Sequence, residues 1–297
     1  MNVFEEDVKP PEIIAFDNSM LSNYKRCPKY FYYRNIEHLS AFDTNFNMDF
    51  QAQFGVAVHK AMDEWFLTGN AELMDSAFLK VWLPFEGTDP KELRTTASGL
   101  IALAQYRKLY PLEREPFYAP ISPEYIEVGF ACELGDFIYC GRIDKIVRWK
   151  SGFDGLVILD HKTSASKGYL NLKPNAALDG YIWGVSQLLN ENIIGAYLDQ
   201  IYLYKKGPQF IRELTRRCPE EISWWKQETL NWILEIEYAN DTGNWNRNTG
   251  SCSMFGKSCE YKILCSSINR DEISSLKEAM YEVKPWIPYP DGGIHGK

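Results

Sequence analysis

The polar triplet Asp160-His161-Lys162 closes an unbroken apolar run over residues 155–159 (Gly-Leu-Val-Ile-Leu), and this junction most limits what the chain can fold into. A short apolar run of that length reads as a buried strand. Aspartate is depleted from strand interiors, so a carboxylate at its end needs a partner or a task. Upstream, residues 125–132 and 137–147 are rich in β-branched and aromatic side chains and flank Gly135-Asp136, a hairpin-type turn. The second of these strands carries Gly141-Arg142-Ile143-Asp144. Side chains alternate along a strand, so Asp160 and Lys162 project from one face, and Asp144 can meet them from the neighbouring strand. Two hard carboxylates suit a divalent cation such as Mg²⁺ or Mn²⁺, and the lysine would neutralise a phosphate. The competing reading is two strand-end aspartates, one of them paired with Lys162.

The remaining pattern predicts an α/β fold. Apolar positions recur at helical spacing between residues 53 and 109 (Val58, Met62, Trp65, Phe66; Leu100, Leu103, Ala104, Tyr106), giving two to four helical segments. After the third strand, residues 175–189 read as a helix, 196–204 as a strand and 220–238 as a long helix. Strand, helix and strand in that order imply a mixed central sheet flanked by helices. Ser19 or Ser22 could cap a helix running through Cys27 to about Tyr33, with Pro28 marking a break or a new start. Residues 1–18, with Pro10-Pro11 and five acidic side chains, read as a loose arm. Beyond Trp245 a cysteine-bearing loop leads to a short helix at 271–280 and a flexible tail.

A chain of 297 residues, 45% hydrophobic, can bury a large core in one elaborated domain or two ordinary ones. No stretch approaches the roughly 18 apolar residues needed to span a bilayer, and the acidic start, residues 1–7, is unlike a secretory signal, so a cytoplasmic protein is expected. Seven cysteines, an odd number, then argue against a disulfide framework. The net charge of −8 argues against indiscriminate binding to nucleic acid but leaves room for a narrow basic groove. Lys25, Arg26, Lys29 and Arg34, Lys205-Lys206, and Arg212 with Arg216-Arg217 are candidates for one, each set against the reading of an ordinary solvated face.

Two further constellations matter. His59, on the first core helix, can complete a Mg²⁺ or Mn²⁺ site beside carboxylates, although a histidine on an apolar helix is more often a satisfied core residue. Cys252, Cys259 and Cys265 are spaced Cys-x6-Cys-x5-Cys, with Cys27 the one cysteine in the N-terminal third. These wide spacings favour a 4Fe-4S cluster over zinc, which usually takes short Cys-x2-4-Cys knuckles, with unligated thiols a third reading. Cys132, Cys140 and Cys218 read as small apolar side chains.

The motifs taken together, Leu21 to Pro28 with the aromatic run Tyr30 to Tyr33, Gly55 with His59, Gly141 with Asp144, Asp160 to Thr163, and Tyr261 to Cys265, resemble the RecB-like branch of the PD-(D/E)XK nucleases. The likeness is to its iron-sulfur members, among them the exonuclease V group, the AddB nuclease domain and CRISPR-adaptation nucleases, with small relatives in phages and archaeal viruses. The resemblance implies that His59, Asp144, Asp160 and the backbone carbonyl of His161 bind Mg²⁺ or Mn²⁺. It implies too that Lys162 positions the nucleophile or steadies the scissile phosphate, and that Cys27, Cys252, Cys259 and Cys265 hold 4Fe-4S. The expected organisation is one nuclease domain over 19–268: a helical part to 120, a catalytic core over 121–240 and a cluster loop over 241–268. Two departures stand out. Ala177 lies four residues before Tyr181 where the family shows a glutamine, with Gln187 too distant to replace it, so only Tyr181 is left to touch DNA there. The gap from Cys252 to Cys259 is longer than in many relatives.

The implied activity is a DNA exonuclease acting on single strands or ends in replication, recombination or repair, with Tyr30, Phe31, Tyr32 and Tyr33 either stacking on bases or packing internally. Competing expectations are a non-catalytic DNA-end-binding module that recruits a helicase or joins a larger assembly, and a CRISPR-adaptation-like trimming nuclease.

Overall fold

The computed structural model describes residues 15–42, 50–150, 152, 154–165, 171–254 and 257–285. In chain order these form β1 (Ala15–Phe16), α1 (Asn18–Arg26), α2 (Pro28–Phe31), β2 (Leu39–Ala41), α3 (Phe50–Thr68), α4 (Ala71–Trp82), α5 (Thr96–Leu109), β3 (Ile126–Leu134), β4 (Phe137–Arg148) and β5 (Leu156–Ser164). There follow α6 (Ala176–Leu189), β6 (Ile193–Tyr202), β7 (Gln209–Arg216), α7 (Pro219–Thr242), β8 (Ser253–Met254), β9 (Lys257–Ser258), α8 (Lys262–Ser266), α9 (Arg270–Met280) and β10 (Tyr281–Val283). The chain gathers into two compact units. The described parts of 1–44, 131–141 and 223–291 make the smaller, and those of 45–130 and 142–222 make the larger, so the chain changes unit within β3, β4 and α7.

In the larger unit three helices fill the helical stretch expected between residues 53 and 109. Asn70 caps α4 by accepting the amides of Glu72 and Leu73 at 2.8 and 3.2 Å, and Thr95 and Ser98 form a reciprocal capping box on α5. α3 buries Phe54, Ala57, Val58, Ala61, Met62 and Phe66, the face its spacing predicted. The sheet is mixed, as expected: β5 runs antiparallel to β4 and parallel to β6, and β7 is antiparallel to β6. Leu156 to His161 are all buried, as in a strand covered on both sides. β5 continues to Ser164, so the polar triplet lies inside the strand and does not end it.

Strand β7 carries a correction. Its pattern is mixed and escaped notice, and it sets Arg212 opposite Asp199 of β6. The Arg212 guanidinium is buried against Glu115 and Asp199, and that of Arg217 is buried against Asp179. Neither belongs to a solvated face or a basic groove.

In the smaller unit the first helix is capped by Asp17, whose carboxylate accepts the Met20 amide at 2.7 Å, not by Ser19 or Ser22. It ends at Cys27, extended at φ −168°, and Pro28 opens α2, because a residue before proline is driven out of the helical region. The part of the expected arm that is described pairs instead: Ala15 and Phe16 lie parallel to Ile138 and Tyr139. Residues 1–14 and 286–297 of the expected arm and tail lie outside the described residues. Tyr281 to Val283, assigned to the tail, form a strand antiparallel to β2. Tyr33, Tyr261, Tyr281, Leu39 and Leu264 make a small core. Phe31 and Tyr33 are buried, and Phe31 stacks on Trp245; these two rings pack internally and are not presented to bases. No helix among the described residues is long and apolar enough to cross a membrane.

α6 approaches β3 through Gly184, where an added Cβ would fall 2.1 Å from the Phe130 ring. Gly184→Ala is therefore expected to overpack this contact and cost about 1–3 kcal/mol, read as a lowered denaturation midpoint; an unchanged midpoint would show that the ring yields freely.

Candidate active site

All the candidate catalytic residues marked in the sequence fall in the larger unit. Lys145 of β4 lies opposite Leu159 of β5, so the same antiparallel register sets Asp144 against Asp160. Asp144 Oδ2 accepts the backbone N–H of His161 at 2.7 Å, and Asp144 Oδ1 lies 3.4 Å from His59 Nδ1, carried in by α3. Lys162 Nζ donates to Asp160 Oδ1 at 2.9 Å and lies 2.8 Å from Oδ2. α3 passes close to this end of β5 at Gly55, where a Cβ would lie in ordinary contact with Thr163 Oγ1 at 3.4 Å. Tyr181 of α6 stands near enough to bear on the Lys162 charge and meets Phe130 edge to face. His59, Asp144, Asp160, the His161 main chain, Lys162 and Tyr181 are thus brought together.

The two carboxylates experience opposite environments. Burial would raise Asp144, but the hydrogen bond and charge of His59 hold it well below the usual carboxylate range. Burial raises Asp160, and the Asp144 charge adds to this against the pull of Lys162. His59 is lowered by burial yet raised more by Asp144. Burial likewise disfavours the Lys162 ammonium, which Asp160 more than restores. Paired acids pushed in opposite directions are a common mark of a chemical site.

Behind these groups lies a buried layer whose charged members Asp63, Glu115, Lys145 and Asp199 the sequence patterning did not single out. The His161 imidazole stacks on Phe66 and points Nδ1 at Asp199 Oδ2, 3.4 Å away. Asp199 also accepts from Tyr106 and from Arg212, and Arg212 clasps both Glu115 oxygens at 2.9 Å. One signal for Asp199 was present: like Asp160, it interrupts an apolar strand. Lys145, fully buried, reaches Asp63 Oδ1 at 2.8 Å, one helical turn beyond His59, and so fixes which side of α3 faces the sheet.

Among the described residues no group of three or more His, Cys, Asp or Glu side chains is arranged to hold a metal ion as it stands. The donor chemistry nonetheless fits a hard cation, since Asp160 Oδ2 is buried and accepts no aligned hydrogen bond despite its nearness to Lys162. In the smaller unit Cys27, Cys252, Cys259 and Cys265 line one cavity. None is in a disulfide, and Cys27 Sγ accepts the Asn248 amide at 3.3 Å. Cys132 and Cys140 are buried as expected, whereas Cys218 is exposed and does not act as a buried apolar side chain.

Residues 18–266 match the model of the PD-(D/E)XK nuclease superfamily, and the chain belongs to that superfamily. No curated protein matches the chain. Among solved structures it is similar to a candidate exonuclease from Eubacterium rectale, at 13% identity over 86% of this chain and 94% of that one, with a TM-score of 0.47. It is also similar to a protein named SSO0001, at 14% identity over 76% of this chain and 78% of that one, with a TM-score of 0.32.

His161 carries a pH consequence. Burial, with the nearby Lys145 charge, lowers its imidazole from 6.5 to about 4. The unfolded chain therefore binds this proton more readily, and the stabilisation is complete above pH 6.5 and lost as pH falls toward 4, on the order of 3 kcal/mol in all. Asp160, raised, acts in the opposite direction; Asp144 and Asp199, lowered, lose their share only below the usual carboxylate value of 3.8. His161→Gln removes one titration and should flatten the loss of denaturation free energy between pH 6.5 and 4. An equally steep loss in the variant would assign the dependence elsewhere.

Proposed function

We propose that this chain is a metal-dependent deoxyribonuclease, an exonuclease that takes single strands or DNA ends through the site around Asp144, Asp160 and Lys162. The observation that carries the reading is the carboxylate pair, held in opposite electrostatic environments within reach of a lysine whose side chain is half exposed while its partner Asp160 is buried. Superfamily membership over 249 residues, 18 through 266, supports the reaction class.

Asp144 and Asp160, with the His161 main-chain carbonyl and His59, would hold Mg²⁺ or Mn²⁺. When bound, such an ion supplies charge neutralisation at the phosphoryl oxygens and helps ionise the attacking water. Lys162, anchored on Asp160, has donors to spare for a non-bridging oxygen of the scissile phosphate or for the incoming water. Tyr181, on the neighbouring helix, is the side chain left to touch a bound DNA strand. Asp199 and Lys145 act through others, holding the His161 strand and the His59 helix in place.

The four cysteines are read as ligands of a 4Fe-4S cluster that closes residues 19–268 into one functional nuclease domain. Their shared cavity and free state support this. When bound, the cluster supplies a cross-link between the start of α2 and the loop after α7. Anaerobically purified protein should contain about four irons and four sulfides per chain; stoichiometric zinc without sulfide would replace this assignment.

Asp160→Asn and Lys162→Gln should each lower Mg²⁺- or Mn²⁺-dependent degradation of end-labelled DNA by at least about a hundredfold, in line with the loss of a charge-stabilising group, while far-ultraviolet circular dichroism stays unchanged. Wild-type protein that binds single-stranded, duplex and flapped DNA yet cuts none of them would instead favour a non-catalytic DNA-binding module on the nuclease fold.

A further inference from the structure

A cleft of about 370 Å³ opens beside Asp144 and His59, and its rim carries Lys60, Glu127 and Arg142. Lys60 Nζ lies 3.4 Å from Glu127 Oε1, and Arg142 Nε lies 2.7 Å from Glu127 Oε2, one cation on each oxygen. Both cations are about half exposed, at 46% and 49%, so water and solutes reach them. Lys60 is held independently by Asp63 at 3.1 Å and does not need Glu127 to stay in place. Glu127 sits at φ 54°, a left-handed conformation uncommon outside glycine. This break in strand alternation lets Val128, Gly129 and Phe130 be buried in succession while the Glu127 side chain turns to the cleft.

Arg142 precedes Asp144 by two residues on β4 and so lies on the same side of that strand, about 6.6 Å along it. Lys60 follows His59 on α3. Arg142 is therefore one same-face step along β4 from Asp144, on the scale of one nucleotide, and Lys60 lines the same cleft as His59. A carboxylate bridging two cations uses the same two-oxygen geometry that a phosphodiester offers. In a chain of net charge −8, a local pair of cations is what an extended polyanion needs.

Resting on the nuclease reading above, we propose that Lys60 and Arg142 form a second phosphate subsite, next to the scissile position, and that Glu127 stands in for the phosphate until substrate displaces it. The shared chemistry is a phosphate, internal or terminal.

The test is fluorescence anisotropy of a short 3′-labelled single-stranded oligonucleotide, with 5′-phosphate or 5′-hydroxyl, over a salt series in Ca²⁺, for wild type, Lys60→Gln, Arg142→Gln and Glu127→Gln. Lys60→Gln and Arg142→Gln should each weaken binding about five- to tenfold and lower the slope of log affinity against log salt by about 0.7, the value for one lost contact to a single strand. Glu127→Gln should tighten binding. Losses equal on both oligonucleotides assign the subsite to an internal phosphodiester; losses confined to the 5′-phosphorylated one assign it to a terminal phosphate. Wild-type slopes in both cation variants, or weaker binding by Glu127→Gln, overturn the subsite. If wild type still cleaves the oligonucleotide in Mg²⁺, the subsite falls alone; if wild type neither binds nor cleaves it, the nuclease reading falls with it.

Discussion

The row His161, Asp199 and Arg212, side by side across β5, β6 and β7, fixes the centre of the larger unit. Asp199 is fully buried and is lowered despite that burial, because His161, Arg212 and Tyr106 all favour its charge. Removing one member of such a buried set typically costs about 3–5 kcal/mol, since the rest is left uncompensated. The row draws α5 in through Tyr106 and the segment after it through Glu115. It also orients His161, and the amide of that residue is what Asp144 accepts.

From this row the candidate site follows by strand alternation. His161 turns its ring toward α3 and Phe66, so Asp160 and Lys162 turn the other way. Lys145, neighbour of Asp144, does the same on β4, sending its ammonium to Asp63. Each strand thus supplies one residue that fastens a helix and one that faces the chemistry. The alternation explains how two adjacent aspartates on separate strands come to differ: Asp144 has an imidazole and an amide, Asp160 only a lysine and a buried, unbonded oxygen.

Much of this was legible in residue order. The hairpin, the polar triplet and the helical spacing of α3 fix Asp144, Asp160, Lys162 and His59 because each rests on a local period. β7 was not legible, since residues 209–216 alternate poorly and the strand is defined by partners on β6. Arg212 was misread for the same reason: its acids, Glu115 and Asp199, lie 97 and 13 residues away, and nothing local distinguishes a buried arginine from a solvated one. Ser19 and Ser22 looked like caps by residue type, but Asp17 accepts the amide three residues on and starts the helix earlier. The stretch after Met280 was given to a tail because three residues carry no period; only β2, far back in the chain, makes them a strand.

That last pairing shapes how the polypeptide can acquire its structure during synthesis. β2 waits for β10, roughly 240 positions later, while every described segment of the larger unit has been synthesised by residue 222. At about 5–20 residues per second, the interval between the two events is several seconds. During it the sheet that carries Asp144 and Asp160 can already close, while Cys27 is still without the loop that brings Cys252, Cys259 and Cys265 beside it. Synthesis is therefore ordered in time, with the unit that carries the candidate site complete before the cysteine-lined unit has its last strand.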